Sequence, residues 1–229
     1  MRSSRSSLDN LKLGGEIVIS GIVFDFDLTL VDSAKAICGN LNALAEEKSL
    51  RPLGLEEVRK TIGWALVDAM KSFWGDGPAE EEWLPRYRKL FVERNYAGLE
   101  GFPQTVPALE KIRSMGMSLG IATNRLTPMG IVKAAGLDGY FDAVVGIEGL
   151  PPKPDPSILL EALSRMGTAP ENSVYVGDTD IDMRTALNGG VMGIGVATGN
   201  HTVEQLLESG ARFAIRDLSE LPDLVEKLQ

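Results

Sequence analysis

Short apolar runs rich in β-branched residues recur along this chain, and the stretches between them read as helices. That alternation restricts the fold more than any other feature. The first run is "IVISGIVF" at residues 17–24. Four more follow much later, "MSLGIAT" (117–123), "FDAVVGI" (141–147), "SVYVGD" (173–178) and "VMGIGVA" (191–197), with "RFAI" (212–215) as a short sixth. The helical patterns between them run Pro107–Met115, Thr127–Ala135, Pro156–Met166, Asp180–Leu187 and Thr202–Ser209. Several stop at a glycine, such as Gly136, Gly167 and Gly210, as helix C-termini do. Strand and helix in alternation predict an α/β fold built on a doubly wound, Rossmann-like parallel sheet.

One interval breaks the rhythm. A crossover between parallel strands needs only a dozen or so residues, yet about ninety separate Asp27 from Met117. Within it Ile37, Leu41, Leu44 and Ala45 share one helical face, and Leu84, Tyr87, Leu90 and Phe91 form a second apolar stripe. The interval reads as helical throughout, a compact cap inserted after the first strand. The expected division is a core of residues 1–32 and 104–229 with a helical cap at 33–103. All three tryptophans, Trp64, Trp74 and Trp83, fall in the cap. Packing inside it is the expectation for all three, with a loop over a site at the sheet edge as the alternative for Trp64 in "IGWAL".

The totals exclude some function classes. A formal net charge of −9 opposes nucleic-acid binding, which wants a basic face. No apolar run reaches the roughly 18 residues of a membrane span. The N-terminal "MRSSRSSLDNLKLGGE" lacks the apolar segment of a secretory signal and reads as a polar leader. A lone Cys38 forms no internal disulfide, which favours a reducing, cytoplasmic setting. The expected assembly is a monomer or homodimer.

The chemistry lies at the strand ends. Asp25 and Asp27 follow the first strand, Thr123 and Asn124 the second, Lys153 the third, and Asp178 and Asp182 the fourth. In a doubly wound sheet these ends converge on one edge, where ligands bind. Burying several carboxylates side by side is costly unless a cation compensates them. An all-oxygen donor set without His or Cys suits a hard cation, Mg²⁺ above others. The single histidine, His201, makes no case for zinc and is expected on a surface loop.

In order and spacing, "DFDLT", "ATN", "KPDP" and "GDTDID" resemble the four motifs of the haloacid dehalogenase-like superfamily. The resemblance spans Ile22 to about His201 and is strongest to its phosphoglycolate phosphatase group, through "DLTLVDS", "TNR" and "GLDGYFDAVVG". It implies a Mg²⁺-dependent phosphatase working through an aspartyl-phosphate on a small phosphorylated metabolite, phosphoglycolate first. Asp25 would be the nucleophile and a metal ligand. Asp27 would be the acid on the leaving oxygen, then the base on water, and would offer its backbone carbonyl to the metal. Asp178 would complete the protein's share of the metal shell. Asp182, one helical turn on, would orient Lys153 or a metal-bound water. Thr123 and the Asn124 N–H would hold phosphate oxygens, and Lys153 would neutralise the transferring group. Thr29 is expected to orient Asp25, and Asp32 with Ser33 to cap the first cap helix.

Rival readings differ by particular residues. A dehalogenase or a phosphonate hydrolase of this superfamily lacks an acid at the second Asp position, which Asp27 supplies. A β-phosphoglucomutase carries a histidine early in the cap, and "SAKAICGNLNALAEE" has none. A pyrophosphatase or sugar-phosphate phosphatase would differ only in cap loops such as "TIGWALV". A phospho-accepting receiver domain also gathers aspartates, a hydroxyl and a lysine around Mg²⁺, but its accepting aspartate follows the third strand and it has no insertion after the first.

Overall fold

The computed structural model describes residues 19–229. The polar leader, and Ile17 and Val18 of the first apolar run, lie outside the described residues. Six parallel strands form the central sheet: β1 (Gly21–Phe24), β4 (Ser118–Ala122), β5 (Ala143–Val145), β6 (Ser173–Gly177), β7 (Met192–Val196) and β8 (Phe213–Ile215). Their order is β5-β4-β1-β6-β7-β8. The chain therefore builds outward from β1 on one side, then returns to continue on the other, as in a Rossmann sheet. β1 is central, with Ile22 paired to Leu119 of β4 and to Val174 of β6. Its four residues are all buried, which is why the run is apolar without alternation.

Helices α5 (Thr105–Ser114), α6 (Met129–Ala134), α7 (Ser157–Met166), α8 (Asp180–Asn188) and α9 (Val203–Glu208) connect the strands. These match the helical patterns of the sequence within a few residues. A further helix, α10 (Leu221–Leu228), closes the chain and buries Leu221, Val225 and Leu228.

The interval after β1 is mainly helical: α1 (Ala34–Lys48), α2 (Leu55–Arg59), α3 (Leu66–Trp74), a π-helical turn (Ala79–Trp83) and α4 (Leu84–Glu93). It is not helical throughout. It begins and ends in a two-stranded antiparallel ribbon of β2 (Val31–Asp32) and β3 (Glu100–Gly101), pairing Val31 with Gly101 and Asp32 with Glu100. Two-residue strands are too short to show a period, so the sequence pattern passes over them. Leu41, Leu44, Tyr87, Leu90 and Phe91 are buried as their stripes predict. Trp74 and Trp83 meet edge to face at 5.5 Å, a favourable aromatic geometry. Trp64 differs, being 52% exposed on a loop above the sheet edge.

Candidate active site

The turn after β1 sets the site. In extended backbone, residues two apart face the same way. Asp25 and Asp27 therefore both turn to the cleft, while Phe24 and Phe26 are fully buried. The turn is pinned by Leu28 N–H donating to the Val31 carbonyl (2.9 Å) and Leu30 N–H to that of Phe26 (3.0 Å). Leu28 adopts a left-handed φ of 58°, an uncommon conformation for a branched side chain. On the neighbouring strand end, α8 opens with a capping box: Thr179 accepts from the Asp182 N–H and the Asp182 carboxylate accepts from the Thr179 N–H. A Cβ at Gly177 would collide with Asp182, so glycine is what lets this helix start close against β6.

These elements bring Lys153 between two carboxylates. Its Nζ donates to Asp25 Oδ1 and to Asp182 Oδ1, each at 2.7 Å, and the side chain is 6% exposed. The Tyr175 hydroxyl donates to the Ala122 carbonyl at 2.9 Å and lies 3.3 Å from the same Nζ. The Asn124 side chain has a role of its own: Oδ1 accepts from the Lys153 N–H at 2.9 Å, fixing the loop that carries the lysine. Thr123 is buried and, with Asn124, borders the same cavity as Asp25 and Lys153.

Thr29 departs from expectation. Its hydroxyl donates to Asp178 Oδ1 at 3.1 Å, so it orients Asp178 and not Asp25, because the turn carries it across toward β6. Asp32 Oδ1 accepts from the Ala34 N–H at 3.0 Å and so caps α1, whereas the Ser33 side chain makes no cap bond. His201 is partly buried, with Nε2 3.6 Å from Asp180.

Asp27 is held by Arg125 through two parallel bonds, Nε to Oδ2 at 2.8 Å and Nη2 to Oδ1 at 2.7 Å. The guanidinium also sits 4.9 Å from the Phe91 ring centroid on α4. Arg125 directly follows Thr123 and Asn124 in "TNR"; that adjacency was the available signal for it. Tyr175 gave a weaker one, a hydroxyl inside a buried strand.

Charges at the site are unequal. Burial is the largest influence on Asp25 and pushes its carboxyl up to about 7; Lys153 pulls it down, and Asp182 and Asp27 push it further up. Burial, then the charges of Asp182 and Asp25, drive Asp178 well above the usual carboxylate range. Burial would raise Asp27 too, but the charge and hydrogen bonds of Arg125 overcome it and hold that carboxyl low. For Lys153, burial disfavours the ammonium, but Asp182 and Asp25 outweigh it.

Two of these groups thus lack compensation for a negative charge. Asp25, Asp178 and Asp182 can bring carboxylate oxygens within 4.8 Å of one another. Asp182 is already engaged at both oxygens: Oδ1 accepts from Lys153, and Oδ2 from the hydroxyl and N–H of Thr179. Asp178 Oδ2 is buried with no partner among the described residues. A Cβ at Gly199 would collide with that oxygen, so glycine leaves it free of side-chain obstruction. An orphaned buried carboxylate oxygen beside a second strained carboxylate fits a hard cation.

A cavity of about 510 Å³ opens from this cluster toward the helical segment, bordered by Asp25, Asp27 and Lys153 below and by Trp64, Tyr87 and Phe91 above. Its volume is in the range of small-molecule sites. No helix among the described residues is long and apolar enough to cross a membrane.

A Rossmann-ordered sheet with a lysine-clamped carboxylate at its switch point puts this cluster where open α/β sheets bind their ligands. The family follows from comparison with known proteins: the model of "Haloacid dehalogenase-like hydrolase" matches residues 22–196. The chain belongs to that family, and its relatives place it among the family's phosphatases. It is 36% identical over 177 residues to a phosphoglycolate phosphatase of Aquifex aeolicus, covering 74% of this chain and 80% of that one. With a phosphoglycolate phosphatase of Rhodobacter capsulatus it shares 33% identity over 215 residues, covering 90% and 96%. Among solved structures, a putative haloacid dehalogenase-like hydrolase from Bacteroides fragilis superposes with a TM-score of 0.80 at 28% identity, covering 89% of this chain and 99% of that one.

Proposed function

We propose that the protein is a cytoplasmic Mg²⁺-dependent phosphatase that hydrolyses a small phosphorylated metabolite through an aspartyl-phosphate on Asp25, with phosphoglycolate the first substrate to test. The observation that carries this reading is the buried Asp25 clamped by Lys153 beside an Asp178 oxygen that no described residue satisfies. Residues 33–103 act as a cap over a core formed by 1–32 and 104–229. Phosphoglycolate is favoured over the mutase and pyrophosphatase alternatives because relatives at 36% and 33% identity carry that name.

Asp25 and Asp178 would hold the cation through carboxylate oxygens, and Asp27 through its backbone carbonyl. Bound there, Mg²⁺ neutralises phosphate charge and lowers the pKa of the nucleophile. Asp25 attacks phosphorus in line with the departing oxygen, forming the acyl phosphate and breaking the ester bond. Lys153 and Thr123, with the Asn124 N–H, balance charge on the phosphoryl oxygens. Asp27 gives its proton to the leaving alkoxide, then takes one from the water that cleaves the aspartyl-phosphate. The acid half needs that carboxyl protonated, so Arg125 must release at least one of its oxygens when the ester is bound. The base half suits the ionised form that the Arg125 pairing favours.

The test is a panel of phosphorylated metabolites scored by phosphate release with Mg²⁺ and with chelator. Mg²⁺-dependent release, together with a hydroxylamine-sensitive phosphate on Asp25, is the expected result. Release from no ester in Mg²⁺ would overturn the reading.

A further inference from the structure

Three cations border the cavity: Lys153, Arg125 and Arg88. Lys153 is spent on Asp25 and Asp182, and Arg125 on Asp27. Arg88 forms no ion pair or hydrogen bond with any described residue, although it is partly buried. Its neighbours on α4 behave otherwise: Arg86 pairs with Glu47 and Glu93, and Lys89 lies 3.7 Å from Glu93. Leu84 and Arg88, one helical turn apart, share the cavity-facing side with Tyr87 and Phe91. The one acid the helical segment contributes to the cavity wall, Glu80, is exposed and does not pair with Arg88.

A partly desolvated guanidinium without an acceptor is costly, and its planar fork matches a carboxylate or a phosphate through two parallel bonds. The transferring phosphoryl group belongs at Asp25, on the sheet side. Arg88 borders the same cavity from α4, in the inserted segment, and not from the sheet edge that carries Asp25, so a leaving group reaching toward α4 would meet it. We infer that Arg88 is a specificity-determining residue, binding an anionic group on the leaving-group side of the substrate, so that the enzyme prefers phosphate esters carrying a carboxylate or a second phosphate. This rests on the phosphatase reading above and deepens it by naming what is recognised besides the ester.

The test measures kcat and KM, with Mg²⁺, for the parent and for Arg88→Gln, Arg88→Lys and Arg88→Glu. The substrates are phosphoglycolate, a sugar bisphosphate, p-nitrophenyl phosphate and O-phosphoethanolamine. Arg88→Gln should lower kcat/KM on the anionic esters by about 10–100-fold, mostly through KM, as expected for losing a charge-assisted hydrogen bond. On p-nitrophenyl phosphate, which has no second anionic group, the loss should be at least tenfold smaller. Arg88→Lys should recover part of the preference. Arg88→Glu should shift it toward O-phosphoethanolamine, a gain that mere structural damage does not produce. Whether the carboxylate ester or the bisphosphate suffers more identifies the group bound. Equal losses on charged and uncharged esters, or an unchanged preference in all three variants, would overturn the assignment while leaving the phosphatase standing. A parent that releases phosphate from none of the four would bring down both.

Discussion

Cation removal should weaken this fold in a pH-dependent way, and Asp25 sets the size of the effect. Its carboxyl is raised from 3.8 to about 7 in the folded state. Between those values the folded protein holds a proton that the unfolded chain has lost, so stability falls as pH rises through that window. About three pH units at roughly 1.4 kcal/mol each give roughly 4 kcal/mol lost by pH 8, an upper figure because Asp178 and Asp182 share the same field. For a chain of this size each kcal/mol moves Tm by about 2–4 °C. Mg²⁺ needs the ionised carboxylate, so protons compete with it, and its affinity should drop about 30-fold between pH 8 and pH 5.5. Thermal melts with 5 mM Mg²⁺ and with chelator, at pH 5.5 and at pH 8, read the difference directly. At pH 8 a cation at roughly a hundred times its Kd adds about 2.7 kcal/mol, or 5–10 °C. At pH 5.5 the gain should shrink to a few degrees, and chelated protein should melt higher than it does at pH 8 once other titrations are matched by Asp25→Asn. That variant should melt higher than the parent in chelator at pH 8 and respond less to Mg²⁺. A Mg²⁺ gain independent of pH, or an Asp25→Asn variant with the parent's melting curves, would refute the reasoning.

Asp25→Asn should also abolish turnover and labelling, whereas Asp27→Asn should slow turnover of every ester severely, since water attack loses its base, yet still release a single burst of p-nitrophenol, whose departure needs no proton; parental rates for Asp27→Asn on natural and activated esters would remove its acid/base role. Asp182→Ala strips Lys153 and the Thr179 cap of their shared partner, and should cost about 3–5 kcal/mol by denaturant titration, since it leaves a buried charge half paired. Asp178→Asn keeps the acceptor for Thr29 but discards the unpartnered charge, so it should stabilise chelated protein and lose most of the Mg²⁺ gain, both read by calorimetry.

Where a residue's place depends on chain direction alone, sequence was enough. Asp25 and Asp27 share a face by strand parity, and a parallel sheet must bring the ends of β1, β4 and β6 to one edge. Lys153 and Asp182 were legible for the same reason, with the capping spacing of "TDID" adding Asp182's position in the first turn of α8. Choices of partner were not legible, because they depend on angles between elements. Thr29 leans to Asp178 instead of Asp25, Asn124 serves the Lys153 backbone, and Arg125 reaches back to Asp27 across 98 residues. Tyr175 sits in a run whose neighbours are all apolar, so only the filled space beneath Lys153 shows its hydroxyl has acceptors. The ribbon and α10 were missed for different reasons: one is too short for any period, and the other lies past the last motif.

The ribbon has a consequence for how such a chain can change. Residues 33–99 leave the sheet at Asp32 and return at Glu100, which face each other as paired strand residues. Any segment inserted there begins and ends at neighbouring points, whatever its length. The entropy of closing a loop grows only with the logarithm of its length, about 0.6 kcal/mol per doubling. Lengthening, shortening or replacing the helices between those two points therefore perturbs the β1–β4 and β1–β6 registers very little. On the proposed reading, the residues that would touch the ester stay fixed by the sheet, while Arg88, assigned above to choosing it, lies on a part of the chain free to diverge.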